Sequence, residues 1–322
     1  MKNKNLPKVT VVMLNYNGLN YLKRTVPRIL NLDYPDYEVI IIDNGSTDGS
    51  IEFINNLKKV KLIKSPRVGE KNFACNYAVE QAKGEYILLL DNDLLIQNNQ
   101  VIYDLILGAT NLNNFGLYSL SFYNEGEAKS KYYGGFLGYY FIKENKSLEL
   151  SEIIKKDNIT IGFPHGAAVF IKKKVWEEIW GYDEDLVFGG DDTDLGIKSW
   201  TQGYKNYLYS KTLQIHIGLP ERKDNKKYSI KLKKMFYAHM YTVVKNYSLY
   251  NMIYTIIGIS IFNFLKSIKQ SMFRLKLGPF IAFFQGYYLF IKNLSIALKK
   301  RKEIQLRRVI KDDIFLKINP PK

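Results

Sequence analysis

The chain is short of cysteine throughout and short of acidic residues in its last third. Its 322 residues hold one cysteine, Cys75. A single thiol excludes an intrachain disulfide and suits a reducing compartment. The opening residues, Met1-Lys-Asn-Lys-Asn-Leu-Pro-Lys8, lack an apolar core, so no secretory signal is expected. Neither G-x-x-x-x-G-K-[ST] nor G-x-G-x-x-G occurs, which argues against a phosphate loop or a dinucleotide fingerprint. Acidic residues thin out after residue 221. Residues 222–322 carry 22 Lys+Arg against 4 Asp+Glu, a net of +18, whereas residues 1–221 carry 25 against 27, a net of −2. The overall charge of +16 therefore belongs to the C-terminal part. Such an asymmetry calls for an anionic partner: lipid headgroups, polyphosphate or nucleic acid. Zinc-ligand spacing, RNP-like and helix-turn-helix signatures are all missing, so no nucleic-acid role is expected.

An apolar fraction of 46% with 14% aromatics indicates a folded protein. The length suits one large domain with an appendage, or two domains. Apolar, β-branched runs predict strands at Val9–Leu14, Tyr37–Asp43, Val60–Lys64 and Glu85–Leu90. Helices are predicted between them at Leu19–Leu30, Asp48–Leu57 and Glu70–Lys83, with Ser46 or Thr47 capping the second and Gly84 closing the third. Strands alternating with helices indicate an α/β fold with a mostly parallel sheet. Each strand delivers polar residues at its C-terminal end: Asn15-Tyr16-Asn17, then Asp43-Asn44-Gly45-Ser46, then Asp91-Asn92-Asp93. Ligands of open α/β sheets bind at that edge. Two carboxylates two residues apart suit a divalent cation with a phosphate completing its shell. The competing reading of Asp91-Asn92-Asp93 is a polar turn with Asn92 in left-handed geometry.

Further along, Phe115–Tyr123 alternates as a strand, and Pro164–Ile171 resumes as one that begins with small residues. Small residues there permit close approach of a ligand or another backbone. Lys173–Ile179 reads as a short helix. Gly189-Gly190 is a flexible turn, after which Asp191, Asp192 and Asp194 open a helix running to about Gln202. The helix dipole favours acid at that end, but three aspartates in four positions exceed what capping needs. Tyr204–Tyr209 and Leu213–Ile217 read as two short strands, the second containing His216.

Taken together these elements resemble the large family of inverting nucleotide-sugar glycosyltransferases with the GT-A fold, the family-two type, and among them the non-processive, rhamnosyltransferase-like members. The resemblance rests on Val11–Asn17, Ile41–Asp48, Ala82–Asp93, Gly166–Ile171, Gly181–Glu184 and Gly190–Leu195 with Gly203-Tyr204. They come in the family's order and span residues 8–218. The resemblance implies a Rossmann-like sheet flanked by helices. It implies that Asp43, with Asn44 and Ser46, meets the nucleotide base, and that Asn15, Tyr16 and Asn17 form the loop near base and ribose. Asn76 and Asn92 would also face the donor. Asp91 corresponds to the residue nearer the ribose or a metal-bound water. Asp93 would ligate the Mg²⁺ or Mn²⁺ that bridges the donor diphosphate, with His216 completing the metal site. Asp192 matches the general base, with Asp191 beside it. The donor implied is a UDP- or dTDP-linked sugar, and the acceptor a hydroxyl of a glycan or of a lipid-linked acceptor. The base motif reads Asp-Asp rather than Glu-Asp, and the processive members' Gln-x-x-Arg-Trp is missing, which points to single-sugar addition. A sugar nucleotidyltransferase and a catalytically inactive relative are the alternatives. The aromatic, glycine-rich stretch Tyr132–Phe141 reads as a hairpin or sheet face, or as a wall for stacking on sugar rings.

Residues 1–221 are thus expected to form the catalytic domain, and 222–322 a basic, apolar helical region. Asn246–Leu265 is a 20-residue stretch without charge, and Leu277–Ile291 one of 15, both bordered by cations. Polar residues such as Asn251 and Asn263 dilute the first, and the second is short for a span. Apolar segments with Lys/Arg borders and many aromatics fit helices lying in the headgroup region. A spanning hairpin and a soluble helical domain are the other possibilities. His239 is expected to pack. Lys299–Lys302 and Arg307-Arg308 are expected to meet anionic lipid at the cytoplasmic face of the membrane, in a peripheral or monotopic arrangement.

Overall fold

The structure, a computed structural model, describes residues 6–126, 135–138, 141–143, 158–186, 189–218 and 225–318. Its strands are β1 (Val9–Asn15), β2 (Tyr37–Asp43), β3 (Val60–Lys64), β4 (Tyr86–Asp91), β5 (Leu94–Leu95), β6 (Phe115–Asn124), β7 (Phe136–Gly138), β8 (Phe141–Lys143), β9 (Asn158–Ile161), β10 (Ala168–Lys172) and β11 (Lys205–His216). Helices α1 (Leu19–Leu30), α2 (Ser50–Asn55), α3 (Lys71–Glu80), α4 (Val101–Thr110), α5 (Lys173–Glu178) and α6 (Asp191–Thr201) flank them. The main sheet runs β3-β2-β1-β4-β10-β6-β11-β5, with β9 added against β11. β1, β2, β3 and β4 are mutually parallel. β10 enters antiparallel between β4 and β6, and β11 then runs parallel to β6.

The uninterrupted apolar runs are explained by cover on both faces of the sheet. Val9, Val11, Met13, Leu88 and Leu90 enter one core, while Val12, Ile87 and Leu89 enter the other. Successive residues point to opposite faces, so each central strand feeds both layers. Three local expectations change. Tyr204–Tyr209 and Leu213–Ile217 belong to one strand, β11, whose register slips between Tyr209 and Leu213. A bulge, not a chain break, separates them. The second helix begins after Gly49 in left-handed geometry rather than at a Ser46 or Thr47 cap. Gly84 is not a left-handed helix end; a Cβ there would collide with the Thr10 backbone, so the residue is small because β1 lies against it. Tyr132 and Tyr133 lie outside the described residues, but β7 pairs with β8 as an antiparallel hairpin whose Phe136 and Leu137 are buried.

The C-terminal part is helical: α7 (Asn225–Asn246), α8 (Leu249–Arg274), α9 (Gly278–Lys292), α10 (Leu294–Arg307) and α11 (Asp313–Leu316). It shares a core with the sheet unit. Ile197 and Trp200 of α6 pack in one cluster with Tyr241, Val243 and Val244 of α7. His239 is buried in α7, as a packing residue should be. Helix α8 is inside out. Its buried residues are Asn251, Thr255, Ile259, Asn263 and Ser267, a polar stripe at four-residue spacing. Its exposed residues include Ile253, Ile257, Ile261, Phe262, Leu265 and Phe273. Asn251 and Asn263, which dilute this segment in the sequence, therefore face inward. By length and composition α8 alone could cross a membrane, and α9 with α10 forms a pair bent by 59° that passes the same test together.

A chain of buried charges joins the two parts. Lys245 of α7 lies between Asp183, which it touches, and Asp194 of α6 at 2.7 Å. Lys198 reaches the other oxygen of Asp194 at 3.3 Å. Lys300 of α10 binds Asp183 at 2.5 Å and also touches Asp185. Burial alone would raise Asp183, but Lys245, Lys198 and Lys300 hold its carboxyl below the usual range. Arg301 donates to the carbonyls of Val244 and Tyr247, and Arg308 to that of Asn246, closing the end of α7. The basic cluster is thus divided. Lys300, Arg301 and Arg308 are spent inside the protein, against expectation, and Arg307 lies 4.6 Å over the Trp180 ring. Lys299 and Lys302 stay exposed.

Removing one member of a buried ion cluster strands its partners without a counter-charge. Lys245→Met is expected to cost about 3–5 kcal/mol of stability, read by urea unfolding. The exposed Lys299→Met should stay within about 0.5 kcal/mol of the parent.

Candidate active site

The ends of β2, β1 and β4 lie side by side, with Asn15 opposite Asp43 and Leu14 opposite Asp91. Asn15 is fully buried and fastens the three loops. Its Nδ2 donates to Asp43 Oδ2 at 2.9 Å and to Ser46 Oγ at 3.0 Å, and its Oδ1 accepts from Asn92 Nδ2 at 2.8 Å. Asp43 Oδ1 accepts the backbone N–H of Gly45 and of Ser46, folding the loop around the carboxylate. Asn17, in left-handed geometry with φ 48°, accepts from the Thr47 N–H at 2.7 Å. Asn44 Oδ1 accepts from the Gly69 N–H at 3.0 Å. Tyr16, between Asn15 and Asn17, is 57% exposed. The sequence-selected polar residues of the first two loops thus meet, chiefly by bonding one another. Asn76 stands apart. Its Nδ2 donates to the Tyr182 carbonyl at 2.9 Å and its Oδ1 accepts the Tyr182 N–H, so it clamps the Gly181–Glu184 turn to α3.

After Asp91 the chain turns at Asn92 and Asp93 and enters β5, which pairs with the end of β11, Leu94 opposite His216. Asp93 Oδ2 lies 3.4 Å from His216 Nε2. Burial raises the Asp93 carboxyl above its ordinary range, against the pull of His216. Asp93 Oδ1 and His216 Nδ1 are buried without a hydrogen-bond partner. Among the described residues no three His, Cys, Asp or Glu side chains gather as a metal cage. Of the expected trio Asp91, Asp93 and His216, the structure brings Asp93 and His216 into contact, and the charge of Asp91 still acts on Asp93. A carboxylate and an imidazole fit Mg²⁺ or Mn²⁺ when substrate oxygens supply the remaining ligands. The unpartnered Asp93 oxygen is consistent with that use.

Asp192 sits in the first turn of α6, which Gly190 opens at φ +83°. The Gly166 N–H donates to Asp192 Oδ2 at 3.0 Å. A Cβ on Gly166 would collide with that carboxylate, so the small residue ahead of β10 admits the aspartate. Asp192 Oδ1 is buried without a partner. Burial and then the neighbouring charge of Asp191 push the Asp192 carboxyl up to about 8.

Two residues escaped the sequence reading. Lys71, in the first turn of α3, lies 3.6 Å from Asp191. Asp91 most strongly, then Asp191 and Asp192, hold its ammonium well above the ordinary range. It is the cation common to the β4 end and the α6 end of the site. His165 packs edge-on against Phe122, whose ring also stacks on His216. Burial pushes His165 down to about 4, so it is neutral at pH 7. Neither residue carries a local signal: a lone lysine at a helix start and a histidine before a strand are commonplace. What the site can do follows from its charges. A buried carboxylate can take a proton, a Asp93–His216 pair can hold a cation, and a lysine lies in the field of Asp91, Asp191 and Asp192.

Residues 10–180 match the glycosyl transferase family 2 domain. Among curated relatives, an uncharacterised glycosyltransferase of Haemophilus influenzae is 41% identical over 101 residues, covering 30% of this chain and 40% of its own. Glycosyltransferase GlyG of Streptococcus pneumoniae is 27% identical over 180 residues, covering 53% and 58%. The chain thus spans about half the length of these two relatives. Among solved structures, GalNAc-T7 with UDP, GalNAc and Mn²⁺ matches at TM-score 0.61 and 18% identity, covering 77% of this chain and 49% of that one. S. aureus TarS residues 1–349 with UDP-GlcNAc matches at 0.58 and 14%, covering 93% and 87%. The mannosyltransferase PcManGT of Pyrobaculum calidifontis, with GDP-Man and Mn²⁺, matches at 0.54 and 17%, covering 94% and 86%. At these identities the structures speak for the fold alone. The chain belongs to glycosyl transferase family 2 and carries a GT-A-like α/β fold.

Proposed function

We propose that the protein is a metal-dependent, inverting glycosyltransferase that moves one sugar from a nucleotide-sugar donor to a hydroxyl of a glycan or lipid-linked acceptor at a membrane surface. The observation that carries this reading is Asp192: a buried carboxylate, braced through one oxygen by the Gly166 N–H, with its other oxygen unpartnered. The separate Asp93–His216 pair supplies the second half. The acceptor hydroxyl gives its proton to Asp192 as its oxygen forms the new bond to the anomeric carbon. The bond from that carbon to the diphosphate oxygen breaks, and the nucleoside diphosphate leaves with the electron pair. A divalent cation held by Asp93 and His216 would neutralise the charge on that leaving group. Lys71 would keep Asp192 ionisable, since its ammonium opposes the burial and the like charge of Asp191. The Mn²⁺ and nucleotide ligands of the GalNAc-T7 and PcManGT structures support a donor and metal of this class. A UDP- or dTDP-linked sugar is the donor we favour, with the Asp43 and Asn15 loops and Tyr16 around its nucleoside. The outward apolar face of α8 and exposed Lys292, Lys299 and Lys302 support a peripheral seat on an anionic, cytoplasmic membrane face.

Asp192→Asn is expected to cut transfer by about 10²–10⁴-fold while Mn²⁺-dependent binding of the nucleotide sugar survives. Calorimetry beside a transfer assay reads both, and near-wild-type turnover would remove Asp192 as the base. Asp93→Ala is expected to abolish the Mn²⁺ dependence of donor binding in the same titration. The base must be ionised, so kcat/KM for the free enzyme should rise with pH through about 8. Lys71→Ala removes the cation that favours the carboxylate, so that rise should move to higher pH; a shift to lower pH would contradict the role given to Lys71.

A further inference from the structure

A cleft of about 1310 Å³ opens between the Gly181–Leu186 turn and helices α7, α9 and α10. None of the site residues selected from the sequence lines it except Asn76. Its wall nevertheless comes near Asp192: Tyr182, which lines the cleft, lies in the field of Asp192, Lys71 and Asp191. Gly189, three residues before Asp192, and Glu70, next to Lys71, are both on its wall. Inverting transfer needs the acceptor on the base side of the sugar, opposite the departing diphosphate.

The lining has two characters. One is cationic. Arg67 is matched by Glu70 and Glu184, and Lys245 and Lys300 by Asp183, Asp194 and Asp185. Lys233 on α7 and Lys276 in the turn between α8 and α9 also line the cleft, Lys233 half-buried and Lys276 exposed, and no carboxylate among the described residues pairs with either. The other character is apolar: Ile230, Leu277, Leu289 and Ile304. Leu277 is 71% exposed and marks the exit. From there the outward faces of α8 and α9 continue with Phe273, Leu275, Ile281 and Phe284, all exposed. A ligand filling this cleft would set a hydroxyl toward Asp192, an anionic group by Lys233 and Lys276, and an apolar chain past Leu277.

We infer that this cleft is the acceptor site and that it takes a lipid-linked saccharide joined to its chain through phosphate or diphosphate. The inference rests on the transferase reading for the meaning of "acceptor", but the ligand chemistry stands on the cleft itself. A soluble glycan would have no use for the apolar exit, and a neutral glycolipid none for the two lysines.

The test is calorimetric titration of the full chain with a water-soluble short-chain isoprenyl diphosphate, with inorganic diphosphate, and with the parent isoprenol. A chelator in the buffer keeps a divalent cation from drawing the diphosphate to Asp93. The isoprenyl diphosphate should bind at least about tenfold more tightly than either fragment, and Lys233→Glu with Lys276→Glu should weaken it about tenfold or more. Leu277→Asp should weaken the isoprenyl diphosphate but leave inorganic diphosphate unchanged. Thermal unfolding of the variants, which alter accessible residues, reports that they are folded. Equal binding of inorganic diphosphate would overturn the lipid class. Binding indifferent to both sets of substitutions would overturn the site. Donor hydrolysis with Mn²⁺ and a panel of nucleotide sugars is scored separately: its failure would count against the transferase reading, and failure of the titration alone against the cleft.

Discussion

Much of the molecule hangs on lysines and aspartates taken out of water together. Lys245 and Asp194 are almost wholly buried, and Asp183 nearly so. Such a cluster adds little net stability compared with an apolar core, yet breaking it is costly, because a charge left behind has no solvent to turn to. Its value here is positional. Asp194 and Lys198 lie on α6, Lys245 on α7 and Lys300 on α10, so one set of contacts sets α6 against the C-terminal helices. Asp192 lies two residues before Asp194 on that helix. The same contacts form one wall of the cleft, so the position of Asp192 and the shape of the cleft depend on the same buried charges.

The second constraint is the surface that these helices leave outward. A helix in a soluble protein normally buries its apolar stripe. Helix α8 buries Asn251, Thr255, Asn263 and Ser267 and shows Ile253, Ile257, Ile261, Phe262, Phe264 and Phe273 to the outside. An apolar face of that extent on a monomer marks a place of contact with something apolar. Charge agrees with this: Lys292, Lys299 and Lys302, all exposed, belong to the same helical part.

At the sheet edge, electrostatics is set by separation of roles. Asn15 and Asn92 tie the loops, so the carboxylates of Asp93 and Asp192 need not do so. Each keeps one buried oxygen without a partner. Asp93 is poised beside an imidazole and Asp192 beside another carboxylate and the backbone of Gly166. Burial raises both, but only Asp192 also has Asp191 as its near neighbour, and it is the one carried up to about 8.

The alternating strands and helices from Val9 to Leu90, the parallel half of the sheet and the residues at its edge were determined by the sequence alone. Apolar runs such as Tyr86–Leu90 are buried on both faces and cannot be mistaken for surface, and polar residues that interrupt them mark the strand ends. The family could be read for the same reason: its motifs are these strand ends. Tertiary structure decided what is made by contacts between distant residues. Asp183 and Lys300 are 117 positions apart, and no local pattern announces their pairing. Nor could sequence show that the turn after Asp91 sends Asp93 to His216, that Lys71 pairs with Asp191, or that Asn251, Thr255, Asn263 and Ser267 of α8 face inward. A side chain's neighbours along the chain set its propensity, but its charge state and its use depend on what packs against it from elsewhere.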